Sequence, residues 1–176
     1  MIFSQIIFCI PNVKGAEEIK IVYGMFSRTI TTESLEHYAK TGEAEKNLKK
    51  ILDATGSSNE EILNILNQDF SVPIVIASKL MYSEIGNVIL RRISKVIYPE
   101  RANIEKASIP ALRASVIKGL VEGEQKINLM SFLKSYPNKK LVLNITAMNK
   151  IINKVESISE LFDFFTDSPL EKLKES

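Results

Sequence analysis

A mainly α protein, a compact multi-helix bundle with a small β-hairpin or three-stranded sheet, is the fold class this sequence predicts. Three observations predict it. Apolar residues recur at helical spacing through most of the chain. Pro, Gly and Ser/Thr/Asn residues stand where helices of that spacing would start and stop. Only two stretches alternate with the period of a strand.

The elements follow in chain order. Ile2 to Ile10 is an apolar run broken by Ser4 and Gln5, and Pro11 to Ala16 follow it. The run is shorter than the roughly 20 residues needed to cross a bilayer. It has the length of a signal-peptide apolar region, with Val13 and Gly15 as small residues before a cleavage point at Ala16, although the usual positive start is missing. Residues 1–15 are therefore expected to be a signal peptide, 16–166 a single helical domain and 167–176 a disordered tail rich in Glu and Lys. Export to a periplasm or thylakoid lumen follows if that signal functions, and a cytoplasmic location if it does not.

Ile19, Ile21 and Tyr23 alternate with Glu18, Lys20 and Val22, and Phe26, Arg28 and Ile30 continue at spacing two beyond Gly24 and Met25. This predicts a hairpin with strands near 18–23 and 26–31. A lone hairpin is marginal in water, so a third strand near 141–145, with Leu141, Leu143 and Ile145 facing one way, is the expected partner. Thr31 or Thr32 caps the first helix, which holds Glu33 and Glu36 near its positive end and stops at Gly42. Leu48, Ile51 and Leu52 mark a second helix ending near Gly56, and Ser58 with Glu61 forms a capping box for a third. Pro73 starts a fourth. Ser83 opens a longer helix, with Ile85, Val88, Ile89, Ile93, Val96 and Ile97 inward, that ends at Pro99. Ser108 and Pro110 begin the next, with Leu112, Val116, Ile117 and Leu120 apolar. Asn128 caps a short helix stopped by Pro137. Thr146 caps the last, with Ile151, Ile152, Val155, Ile158, Phe162 and Phe165 on its inner side.

Composition narrows the function. The chain has 176 residues, 45% of them apolar and 25% charged, with a formal net charge of +2. No basic block and no Trp are present, so a nucleic-acid partner is not expected. One cysteine and one histidine, Cys9 and His37, exclude an intrachain disulfide and a Cys/His zinc site. No P-loop or Rossmann glycine spacing occurs, and no cofactor is expected.

The search for a catalytic centre returns none. A serine hydrolase needs a nucleophile elbow of the form G-x-S-x-G, a histidine base and an acid. The string is absent, and His37 sits within a helical pattern with no group placed to orient it. Glu17–Glu18 and Glu60–Glu61 serve a strand entry and a helix start. Four residues remain as possible ligand or partner contacts. Arg91, Arg92 and Arg113 stand in apolar helices, where arginine either pairs within the protein or receives an anionic group. Phe164 breaks the one-sided pattern of the last helix, which makes the Phe-rich end a candidate for exposure and partner contact, although helical spacing of this kind more often marks core. The stripe Ile85, Val88 and Ile89 reads as core or as a partner or lipid surface, and its helical spacing favours core.

Five short strings occur in a fixed order: Tyr23-Gly24-Met25-Phe26, Leu35-Glu36-His37-Tyr38-Ala39, Ile89-Leu90-Arg91-Arg92-Ile93, Ala111-Leu112-Arg113-Ala114, and Ser131-Phe132-Leu133 with Tyr136-Pro137. In that order the chain resembles the cyanobacterial domain of unknown function that lies N-terminal to, and is classed with, alpha/beta hydrolases, over roughly residues 16–160. The resemblance implies an exported helical module that longer relatives join to a catalytic domain. It carries no catalytic residue onto this chain. The expected function is a non-catalytic, partner-binding or regulatory module, with a separate hydrolase or other exported protein as partner and peripheral membrane contact as a further option. The alternatives are an acyl esterase or lipase component and a lipid-binding module.

Overall fold

Alternation brings the hairpin together where the sequence places it. The computed structural model describes residues 15–55, 58–101 and 104–152. The strands β1 (Glu18–Tyr23) and β2 (Phe26–Thr31) pair antiparallel, Ile19 opposite Ile30 and Tyr23 opposite Phe26. Gly24 takes φ +59° at the turn, a region open to glycine at no steric cost. Helices α1 (Thr32–Thr41), α2 (Lys46–Thr55) and α3 (Asn59–Asn67) follow. A two-residue strand β3 (Phe70–Ser71) leads to α4 (Ile74–Tyr82), α5 (Glu84–Ile93) and the short β4 (Ile97–Pro99). The long α6 (Ile104–Glu122), β5 (Lys126–Ile127), α7 (Leu129–Ser135), β6 (Lys140–Asn144) and α8 (Ile145–Ile152) complete the described residues.

The third strand is β6, which pairs parallel to β1 with Ile19 opposite Leu141. The sheet gains a fourth member, β4, antiparallel to β6, giving the order β2-β1-β6-β4. A separate two-stranded sheet joins β3 and β5. One face of the large sheet carries Ile30, Ile19 and Leu141 in a row, all buried, and the helices pack there. Tyr38, Leu48, Leu66, Leu90, Leu112, Leu133 and Tyr136 extend that core. Burying each of the larger side chains contributes roughly 2–3 kcal/mol. The hydroxyls of Ser108 and Tyr136 are buried without a hydrogen-bond partner among the described residues, and burial pushes the Tyr136 hydroxyl well above the ordinary phenol range.

Most helix ends obey the local signals. The Thr31 side chain accepts from the Ser34 N–H at 3.0 Å, so Thr31 is the cap, while the Thr32 hydroxyl donates to the Ala16 carbonyl. Gly42 ends α1 in the left-handed region at φ +75°. Ser58 and Glu61 form the expected capping box, and Asn128 forms one with Ser131. Ser83 caps α5.

Four expectations are corrected. The helix opened at Ser83 stops at Ile93 rather than Pro99: the N–H groups of Lys95 and Val96 turn back to Arg92 and Ile93, and Ile97 then pairs with Leu143. A β-branched and aromatic run such as Val96-Ile97-Tyr98 suits a pleated sheet, and Pro99 is tolerated because β4 is an edge. The following helix begins at Ile104, not at Ser108, and Pro110 lies inside it. An interior proline costs about 3 kcal/mol. Burial of Ala111, Leu112 and Leu120 on the same helix offsets that. The last helix is capped by Asn144, whose side-chain oxygen accepts from the Ala147 N–H at 2.9 Å, whereas the Thr146 hydroxyl accepts from the Gly24 N–H at 2.7 Å. Finally, Ile85, Val88 and Ile93 of α5 are exposed, not inward. The signal segment before residue 15, the stop at Gly56, the inner face from Val155 to Phe165, Phe164 and the tail lie outside the described residues.

Candidate functional site

The α4–α5 pair is where the fold spends apolar residues on water. Only Ala77 of α4 and Gly86 and Leu90 of α5 are buried. Val75 is 62% exposed, Tyr82 66% and Val88 51%, with Ile85 and Ile93 also exposed. Ile85, Val88 and Arg92 fall at spacings of three and four on α5, which places them along one side of the helix. Ile85 and Val88 belong to the stripe Ile85, Val88 and Ile89 whose periodicity suggests core, and Ile89 is half-buried. Periodicity reveals that a helix has an apolar side, but not what lies against it.

Arg113 explains how the pair is held. It reaches from α6 and donates through Nε to the Met81 carbonyl at 2.8 Å, at the C-terminal end of α4. Its Nη2 donates to Asn87 Oδ1 on α5, and the guanidinium lies 4.8 Å from the centre of the Tyr82 ring. One cation thus ties three helices together by a helix-end carbonyl, an amide and a π-face. Arg91 and Arg92 behave differently. Both are exposed in the last turn of α5, where positive charge is favourable, and neither makes an ion pair among the described residues. The structure therefore does not gather the three arginines into one site. Phe164 is outside the described residues.

The hydroxyls near the strand-to-helix turns are committed to structure. Thr31 caps α1, Ser131 completes the Asn128 box and Ser34 donates to Glu45 Oε2 at 2.9 Å. His37 is exposed on α1 and does not line the cleft described below. The shifted carboxyl of α1 is Glu36, held below the ordinary range by hydrogen bonds first from Lys134 and then from Lys40, at 2.7 and 2.6 Å. It links α1 to α7. Tyr38, pushed up by burial, donates to Asn59 Oδ1. Each of these perturbed groups is explained by packing or pairing within the fold.

Residues 15–144 match the family described as alpha/beta hydrolase of unknown function (DUF1400). The chain belongs to this family. No curated protein and no solved structure matches it. The DUF1400 match covers the four-stranded sheet and every helix from α1 to α7. Within those residues the hydrolase part of the label finds no nucleophile elbow: no serine follows a glycine at the spacing G-x-S-x-G. Among the described residues no helix is long and apolar enough to cross a membrane.

Sequence reasoning found Arg113 but not its role, since its acceptors lie in segments 32 and 26 residues away. It missed an apolar cleft of about 240 Å³ at the turn end of the hairpin, lined from β1, β2, α2 and the start of α8. No contiguous string announces a cleft made from three separated segments.

Proposed function

We propose that this DUF1400 chain is a non-catalytic module that docks a separate protein, with the exposed apolar side of α5 as the docking surface. The single observation supporting this is the pair Ile85 and Val88, left in water along one side of α5 beside Arg91 and Arg92. The apolar pair would supply the desolvated centre of an interface, and the two cations, which make no ion pair among the described residues, its rim. The occupant this charge pattern fits is an acidic-rimmed apolar patch on a protein of the alpha/beta hydrolase class, the class to which the family belongs. Tyr82, propped by Arg113, enlarges the same helical pair. The reading includes a position N-terminal to, or apart from, a catalytic domain, a cyanobacterial source, and export directed by the apolar run Ile2 to Ile10.

The test compares the wild-type chain with the double variant Ile85→Glu/Val88→Glu as bait in extract of the source organism. An alpha/beta hydrolase retained by the first and lost by the second, with both baits showing the same circular dichroism, is the expected result. Equal retention by both baits, or no hydrolase on either, contradicts the proposal. For export, N-terminal sequencing should find a mature chain that begins at Ala16. A mature chain still carrying Ile2 to Ile10 removes that part of the reading.

A further inference from the structure

At the hairpin's turn end the sheet runs past the helices that cover it. Register places Ile19 with Ile30, Ile21 with Arg28 and Tyr23 with Phe26. These pairs share one face, because alternate residues of a strand point the same way. The first pair is buried, and Phe26, at the tip, is 78% exposed. Helix α2 approaches this face with Ile51 and Ala54, and Ile145 closes the far side, leaving the cleft of about 240 Å³. Its walls are almost wholly hydrocarbon: Ile21, Tyr23, Phe26, Ile51, Ala54 and Ile145.

Two cations interrupt that lining. Arg28 projects from β2 and Lys50 from α2, so they come from opposite walls. No acidic residue lines the cleft, and neither cation makes an ion pair among the described residues. Elsewhere on the sheet lysines do find acids: Lys20 pairs with Glu100 and Lys140 with Glu18. Unpaired positive charge on both sides of an apolar cleft is complementary to a ligand with an alkyl chain and an anionic head.

We propose that this cleft binds a free single-chain anionic amphiphile, a medium-chain fatty-acid carboxylate. The alkyl chain lies against Ile21, Ile51, Ala54 and Ile145, where burial from water drives binding. The carboxylate sits between Arg28, whose planar fork matches it bidentately, and Lys50. A neutral head would leave both cations without a partner, and a cationic head would be repelled. The site lies on a different surface from the α5 stripe, so the two proposals fail independently.

Isothermal titration calorimetry of the full chain with decanoate, decanol and decyltrimethylammonium, each below its micelle concentration, tests it. Decanoate is expected to bind about tenfold more tightly than decanol, as one charge-assisted contact warrants, and the cationic amphiphile more weakly than either. Arg28→Gln/Lys50→Gln should erase the preference for decanoate. Ala54→Phe, at an exposed helix position, should fill the cleft and abolish binding of all three while circular dichroism stays unchanged. No decanoate binding, equal affinity for decanoate and decanol, or decanoate binding untouched by Ala54→Phe overturns the proposal. So does binding to phosphatidylglycerol vesicles without binding of monomeric decanoate.

Discussion

The hairpin end and the α4–α5 pair both hold large apolar side chains in water, but their shapes differ. At the hairpin, exposure grows along one face, from the buried Ile19–Ile30 pair to Tyr23 and Phe26 at the tip, and α2 stands opposite to make a concave cleft. On α5 the exposed stripe lies on a convex helix, and a few anchors beneath it hold the helix down: Leu90, Gly86 and the Arg113 contacts. A concave apolar surface can surround a small ligand on several sides. A convex one needs a partner large enough to supply the other half of the contact. The comparison teaches that equal hydrophobic exposure does not imply equal occupants.

The contrast can be broken first at Gly86. A Cβ there would stand 1.8 Å from the Leu80 carbonyl oxygen, a backbone atom with little room to move. Gly86→Ala is therefore expected to pry α5 from α4 and to cost about 4 kcal/mol in urea unfolding. Leu90→Ala should cost about 3 kcal/mol because Leu90 is fully buried, while Val88→Ala on the same helix should stay within about 0.5 kcal/mol. A large loss at Val88 would mean that the stripe is covered. Arg113→Lys keeps the charge but cannot reproduce the paired contacts to Met81 and Asn87, so a loss of about 2 kcal/mol is expected, read by thermal unfolding.

The smallest effect lies at Glu36, away from both surfaces. Its lowered value means that the Lys134 and Lys40 contacts stabilise the fold above the ordinary carboxylate range, and that this contribution disappears as pH falls through the lowered value. Both lysines are well exposed, so screening keeps the contribution small. Glu36→Gln should cost about 0.5 kcal/mol near neutral pH and nothing in acid, measured as unfolding midpoints across pH. A constant difference at all pH values would show that the charge is not the cause.

What was legible in the sequence was local. The hairpin strands, the Gly42 stop and the Ser58 and Asn128 caps each depend on residues within a few positions of one another. The third strand was legible because a hairpin needs a partner and Leu141 to Leu143 alternates. What depended on distant contacts was not. Ile97–Pro99 becomes a strand only because β6 lies beside it, and its apolar residues alone continue a helical spacing. The helix through Pro110 is sustained by burial that no local rule shows. For the candidate site, the α5 stripe was visible but assigned to the interior, and the arginines were visible without their partners. Both errors share one cause: spacing gives the direction a side chain takes from its own helix, and the neighbouring elements decide whether anything meets it there.

The claim that this member of a hydrolase family binds rather than catalyses is tested most directly by reactivity. The purified chain is treated with a fluorophosphonate probe, and labelled peptides are identified by mass spectrometry, with short and long acyl esters assayed in parallel. The expected result is no serine labelled above the heat-denatured control and no ester turnover above buffer. Stoichiometric labelling of one serine, lost together with turnover in its alanine variant, would contradict it.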